Sequence, residues 1–356
     1  MINKSNFTPT FGRSTSRITL FHHCHKKYYF QYYTNYLKSV DTPIRLDSLL
    51  LKNLTSYKMR LGEKTHHILA DYLRLLATKQ GAVSLEDIII LKQNMAKIIQ
   101  QEFTAAEQKD YSSYDKNQKF GFKEFCYNEE LPDNPLEQAI QRVNANLDAF
   151  IASDMKTKVL QYFQNDNKYY IESNESDFEQ MKLILDHHPI LEHVTIRAWP
   201  DFGVTADNGI YYIYDRKSWR EKDVPTDSIT DQLKIYAYKL LCNTNKTLDD
   251  ITIYTYEVYV PSMNMIGGKV TQADIDSIKD KVIDDVHELQ ELVEDKDIQK
   301  NIPKHVDTFQ RTINSQKCAI CSFRKACASL KKIDGDATQN PILDDLMGQR
   351  DDGRLF

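Results

Sequence analysis

Two short stretches of this chain carry residue types that could do chemistry on phosphate. Pro200-Asp201 is followed, across a turn at Ala206-Asp207-Asn208-Gly209, by Asp215-Arg216-Lys217. On a strand, residues two apart point to one face, so Asp215 and Lys217 project together, and an antiparallel partner can bring Asp201 opposite them. Neighbouring carboxylates repel unless a cation lies between them, and oxygen ligands favour Mg2+ or Mn2+. A lysine beside such an ion can orient or deprotonate water for in-line attack on phosphorus and offset the charge developing on the phosphate. Asp-x-Lys alone is common on surface strands. Two further pairs accompany it at helical spacing: Gln232 and Tyr236 in DQLKIYAYKL, and Gly62 and His66 in LGEKTHHIL.

The six cysteines form a second pattern. Cys318, Cys321 and Cys327 group as C-x2-C-x5-C, a spacing that asks for a fourth ligand. Cys126 and Cys242 read as ordinary packed thiols, whereas Cys24, among polar and basic residues in FHHCHKKYYF, is the better partner. Four thiolates suit zinc or an iron-sulfur cluster. One lone cysteine plus a triplet, without paired C-x2-C knuckles, favours the cluster. Ligands drawn from the two ends of the chain would form a clasp, worth roughly 5 kcal/mol on the chain-entropy account of crosslinks.

These residues need elements to position them, and the hydrophobic pattern predicts an α/β order. Helices are expected over 17–36, which is aromatic and basic, over 61–78, and from Ser84 onward, where a serine can cap the first turn. Residues 85–160 read as mainly helical. From about 193 the pattern changes to strands: VTIRAW, PDFGV and IYYIYDRKSW. A helix at about 229–243, a strand at 251–260, a Gly267-Gly268 turn and a helix at about 272–295 follow. The segments expected are 1–80, with the first cluster cysteine and His66; 81–190, mainly helical; 191–270, the strand-rich core that carries the Asp and Lys motifs; 271–332, the last helix and cysteine triplet; and 333–356, an acidic disordered tail.

The succession Gly62-x3-His66, Pro200-Asp201, Asp215-x-Lys217 and Gln232-x3-Tyr236, framed by Cys24 and the cysteine triplet, resembles the RecB-like branch of the PD-(D/E)xK nucleases. More narrowly it is similar to the iron-sulfur members, which include the AddB nuclease domain and the CRISPR-associated RecB-like exonucleases. The resemblance implies a restriction-endonuclease-like core sheet flanked by helices, with a helical insertion and an iron-sulfur clasp joining the N- and C-terminal segments. It implies a divalent-metal-dependent deoxyribonuclease, acting as an exonuclease on single-stranded DNA or DNA ends, in repair, recombination, phage replication or defence. His66, Asp201 and Asp215 would hold Mg2+ or Mn2+ with the backbone carbonyl of Arg216; Lys217 would be the catalytic lysine, supported by Gln232 and Tyr236. Cys24, Cys318, Cys321 and Cys327 would hold a structural four-iron four-sulfur cluster, zinc being the alternative. His25 stands where the family commonly has proline, and His67 abuts the chosen histidine.

The net charge of -5 provides no global attraction to DNA, so contact must be local. The expected surface comprises Lys26, Lys27 and Tyr28, the neighbouring aromatic residues up to Tyr33, and Arg324 and Lys325. The polar start of the chain lacks signal-peptide regions and no apolar run approaches the roughly 20 residues of a membrane span, so the chain reads as cytoplasmic with no membrane partner. No phosphate-loop motif is present, which excludes a built-in helicase of that type. The competing classes are a catalytically inactive nuclease-fold scaffold and a zinc-bound nucleic-acid adaptor. The terminal Leu355 and Phe356 provide a possible docking tail for a protein partner.

Overall fold

The computed structural model describes residues 11–34, 51–108, 121–164, 167–172, 194–206, 209–218 and 226–333. The expected tail beyond 333, with Leu355 and Phe356, and the centre of the 206–209 turn lie outside them. The chain divides into two compact units: 58–101 with 132–284, and 1–57 with 102–131 and 285–356. No helix among the described residues is long and apolar enough to cross a membrane.

The first of these units is built on a five-stranded sheet: β1 (Lys168–Ile171), β2 (Phe202–Ala206), β3 (Ile210–Lys217), β4 (Thr252–Tyr259) and β5 (Asn264–Lys269), paired in that order. β3 and β4 run parallel and the other neighbours antiparallel. A parallel pair needs a crossover, supplied here by the helix Asp231–Thr244, which packs on both strands. β1 is a strand inside the segment 81–190 expected to be mainly helical; KYYI is rich in strand formers and pairs with β2. VTIRAW yields only the short strand Thr195–Arg197.

The Gly267-Gly268 pair is not a turn but lies inside β5, a correction with a steric cause. Gly267 has φ 144°, and a Cβ there would stand 2.0 Å from the carbonyl oxygen of Thr255. The glycine permits close backbone approach, the other reason strands carry glycine. The chain reverses earlier, between the ends of β4 and β5, where Ser262 and Met263 bond back to the Tyr259 carbonyl.

The long helices begin as their caps dictate. Ser84 precedes the helix Leu85–Glu107; its hydroxyl accepts from Asp87 N at 3.2 Å, and the Asp87 carboxylate accepts from Ser84 N at 2.8 Å, a reciprocal capping box. In the other unit the helix expected over 17–36 is two helices, Thr15–His23 and His25–Tyr32, broken at Cys24, whose backbone is extended (φ -170°, ψ 113°). Phe21, Tyr28, Tyr29, Phe30, Tyr33, Phe309 and Phe323 fill this unit's core, with the Phe30 and Phe323 rings stacked at 5.5 Å.

Candidate active site

The sheet register brings distant sequence together. Phe202 pairs with Tyr214, so Asp201 and Asp215 stand one step further along neighbouring strands; Asp215 in turn pairs with Glu257 across the parallel ladder. All three carboxylates are buried, at 5%, 4% and 2% exposure. Carboxylates are buried in this way only when paired or hydrogen-bonded.

Their partners account for it. Lys217 forms an ion pair with Asp215, donates to Gln232 Oε1 at 2.9 Å and lies 3.8 Å from Glu257 Oε1. Asp215 Oδ1 accepts from Gln232 Nε2 at 3.0 Å and from the Tyr236 hydroxyl at 2.9 Å, and Gln232 also donates to that hydroxyl at 2.6 Å. The i, i+4 spacing of Gln232 and Tyr236 sets both on the face of the helix Asp231–Thr244 that meets β3. Glu257 accepts from Thr230 at 3.1 Å and from Tyr259 at 2.6 Å.

Asp201 occupies the other side of this cluster. Its Oδ2 accepts from the backbone N–H of Arg216, and its Oδ1 lies 3.2 Å from His66 Nδ1. His66 arrives on the helix Tyr57–Thr78, one turn after Gly62. A Cβ at Gly62 would come within 2.7 Å of the Ser218 hydroxyl at the end of β3, so glycine lets this helix approach the strand that carries Asp215. His67 is exposed.

A ligand absent from the sequence reading completes the group. Glu172 follows β1, and one ligand atom each from His66, Glu172 and Asp201 lie within 4.8 Å of one another. Ligands about 2.1 Å from one Mg2+ stand at most ~4.2 Å apart, so this nitrogen and two oxygens fit a single divalent ion after a small contraction. The signal in the sequence was the aromatic strand KYYI ending in an acid; without the strand assignment Glu172 was one glutamate among many. Asp215, expected as a direct ligand, is engaged by Lys217, Gln232 and Tyr236.

The acids divide one another's charge. Burial pushes the Glu172 carboxyl up to about 8, reinforced by the negative charge of Asp201, although its side chain remains 37% exposed. Burial also acts to raise Asp201, but the His66 and Arg216 charges outweigh it and hold this carboxyl below the usual range. Asp215 is raised by burial and by Asp201, against the pull of Lys217. Burial and Asp215 together lift the Tyr236 hydroxyl well above its ordinary value, so it acts as a donor. Such opposed shifts in one cluster mark functional sites.

In the other unit Cys24, Cys318, Cys321 and Cys327 line one pocket, with His23, Lys27, Arg311, Lys317 and Arg324 around it. The Phe323 N–H points at Cys321 Sγ, 3.4 Å away. Burial raises the Cys321 and Cys327 thiols; the Phe323 N–H and Lys27 oppose it at Cys321, and Arg311 at Cys327. None of the six cysteines is in a disulfide, and the buried Cys126 and the exposed Cys242 stand outside the pocket.

Two expected DNA contacts are corrected. Tyr28 is 0% exposed, accepts from Arg17 Nε at 2.8 Å and packs against Phe21, Tyr32 and Tyr33, so it cannot stack on a base. Lys26 is buried and donates to the Val306 carbonyl at 2.6 Å. An alternating basic and aromatic helix looks the same whether its rings face a ligand or a core. Arg324 stacks on Tyr127 at 3.7 Å and pairs with Glu129 at 2.6 Å, while Lys325 lies 5.5 Å from the same ring; Lys27 is half-buried beside the thiols.

Comparison with curated proteins finds no match. The family model of the PD-(D/E)XK nuclease superfamily, by contrast, matches residues 13–328, a span that includes the carboxylate site and all four pocket cysteines. With Pro200-Asp201 and Asp215-x-Lys217 held on adjacent strands over a buried acid cluster, the chain belongs to the PD-(D/E)XK nuclease superfamily.

Proposed function

We propose that the protein is a divalent-metal-dependent deoxyribonuclease of the RecB-like iron-sulfur branch, hydrolysing phosphodiester bonds as an exonuclease on single-stranded DNA or DNA ends. The observation that carries this reading is the junction of a hard-ligand group, His66, Glu172 and Asp201, with the buried Asp215–Lys217 pair on the neighbouring strand. A bound Mg2+ or Mn2+ would supply Lewis-acid activation of the phosphate and of the attacking water. His66, Glu172 and Asp201 would hold it, with Asp215 and the backbone carbonyl of Arg216 as the further ligands that the resemblance implies. Lys217 Nζ, fixed by Asp215 and Gln232, directs its positive charge at the attacked phosphate and orients the attacking water. Gln232 and Tyr236 keep Asp215 in position, and Glu257 restrains the lysine from behind.

Cys24, Cys318, Cys321 and Cys327 hold a four-iron four-sulfur cluster with a structural role. Zinc is the alternative, since four thiolates suit either group. The Phe323 N–H directed at Cys321 and the surrounding cations suit thiolate ligands.

The decisive experiment is digestion of end-labelled linear and circular single-stranded DNA by the purified chain with Mg2+, Mn2+ or EDTA. Metal-dependent loss of linear but not circular substrate is the expected result. Cleavage of both makes the enzyme an endonuclease, and cleavage of neither leaves the scaffold.

A further inference from the structure

Arg216 is the middle residue of Asp-x-Lys on β3. There the guanidinium side chain is 6% exposed, and Nε, Nη1 and Nη2 are all buried with no hydrogen-bond partner among the described residues. A guanidinium presents five donors and keeps its charge, so leaving all of them unused inside a protein is costly. What faces it are the two carboxylates of the triad: Asp201 Oδ2 lies 3.6 Å from Nε and Glu172 Oε2 lies 3.7 Å from Nη2. Both stand just outside hydrogen-bond reach. The interaction is therefore charge against charge, without the fixed fork of a bidentate pair. Burial also keeps this group from DNA phosphates.

We propose that the Arg216 side chain is the resident counter-ion of the His66–Glu172–Asp201 site and sets how tightly that site binds a divalent cation. The inference rests on the metal-site reading above and concerns the guanidinium, not the backbone carbonyl. With both acids deprotonated, the form that binds a cation, Asp201 and Glu172 bring two negatives, and Arg216 leaves one of them to meet an incoming divalent ion. The arginine makes the metal-free acid pair tolerable and repels the ion that replaces it. Losing it removes a repulsion between a unit charge and a divalent ion a few ångströms apart, an effect on the order of tenfold or more in affinity even at water-like screening.

The test is calorimetric titration of Mn2+ into the metal-stripped full chain, with thermal unfolding of the same samples. Arg216→Gln is expected to bind Mn2+ at least ~tenfold more tightly than wild type, to melt lower without metal, and to gain more from Mn2+. Arg216→Lys, which keeps the charge, stays near wild type. A folded Arg216→Gln protein that binds Mn2+ no more tightly than wild type overturns the proposal. If that variant does not fold, Glu172→Gln/Arg216→Gln restores the formal charge balance. It is expected to bind Mn2+ more tightly than Glu172→Gln alone, and equal affinities overturn the proposal. Asp201→Asn and Glu172→Gln serve as the separate control: if both bind Mn2+ like wild type, the metal site itself is wrong.

Discussion

The carboxylate site and the thiol pocket are both clusters of metal-ligand side chains, yet they are held by opposite means. In the first, every buried acid is held by hydrogen bonds or ion pairs: Asp215 by Lys217, Gln232 and Tyr236, Glu257 by Thr230 and Tyr259, Asp201 by His66 and the backbone N–H of Arg216. In the second, the thiols have few such partners, chiefly the Phe323 N–H on Cys321 and a long contact from Cys318 to the Thr312 carbonyl, 3.9 Å. Buried charge must be satisfied before any ion arrives, whereas a neutral thiol tolerates an apolar wall until it ionises. The carboxylate site is thus preorganised by the fold, whereas the thiol pocket has few internal contacts to order it.

The largest effect expected from that difference is on cleavage. Asp215→Asn and Lys217→Gln should each lower the rate on single-stranded DNA by on the order of 10²–10³ or more, measured with Mn2+ in excess. Because the pair is buried, Lys217→Ala should in addition cost about 3–5 kcal/mol of stability, read from denaturant unfolding, since it strands a buried carboxylate.

Second in size, Cys24→Ala should abolish broad visible absorption in anaerobically purified protein. It should also remove roughly 5 kcal/mol of stability by opening a loop of nearly the whole chain. Cys126→Ala and Cys242→Ala should keep the colour. Retention of colour in Cys24→Ala would erase the contrast between the two sites, because the pocket would then not need its distant ligand.

A smaller effect is expected from pH. The Glu172 carboxyl is raised in the folded, metal-free protein to about 8 from its ordinary 4.5, so its contribution to stability is fully present below 4.5 and lost as pH rises through 8. A divalent ion binds the deprotonated form, so the increase in melting temperature caused by Mg2+ should grow between pH 5 and about 8. Glu172→Gln should flatten that dependence. An equally steep rise in the variant would assign the pH response to another group.

The smallest effect should be that of Tyr28→Phe. It deprives the buried Arg17 guanidinium of this acceptor, about 1.5–3 kcal/mol, and should leave DNA affinity measured by fluorescence anisotropy unchanged. A selective loss of affinity would return Tyr28 to the DNA surface.

The motif residues were legible because their spacing encodes local geometry. Asp215 and Lys217 share a strand face and Gln232 and Tyr236 a helix face whatever the tertiary structure does, since the periods of two and 3.6 residues are properties of the backbone. The cysteine triplet was legible for the same reason, and Ser84 announced its helix through its own side chain. What tertiary structure alone decided was what those faces meet. Glu172 joined the site because β1 pairs with β2 beside Asp201, and Glu257 because β4 runs in parallel register with β3, long-range pairings with no trace in local spacing. Tyr28 and Lys26 went inward for the same reason: periodicity sets which residues share a side, and only packing determines whether that side faces water, DNA or core. Gly267 became part of a strand because a backbone from elsewhere in the sheet lies against it. Arg216, the one variable letter of Asp-x-Lys, acquired two carboxylates as neighbours from segments 15 and 44 residues away, which no inspection of its own surroundings in sequence would reveal.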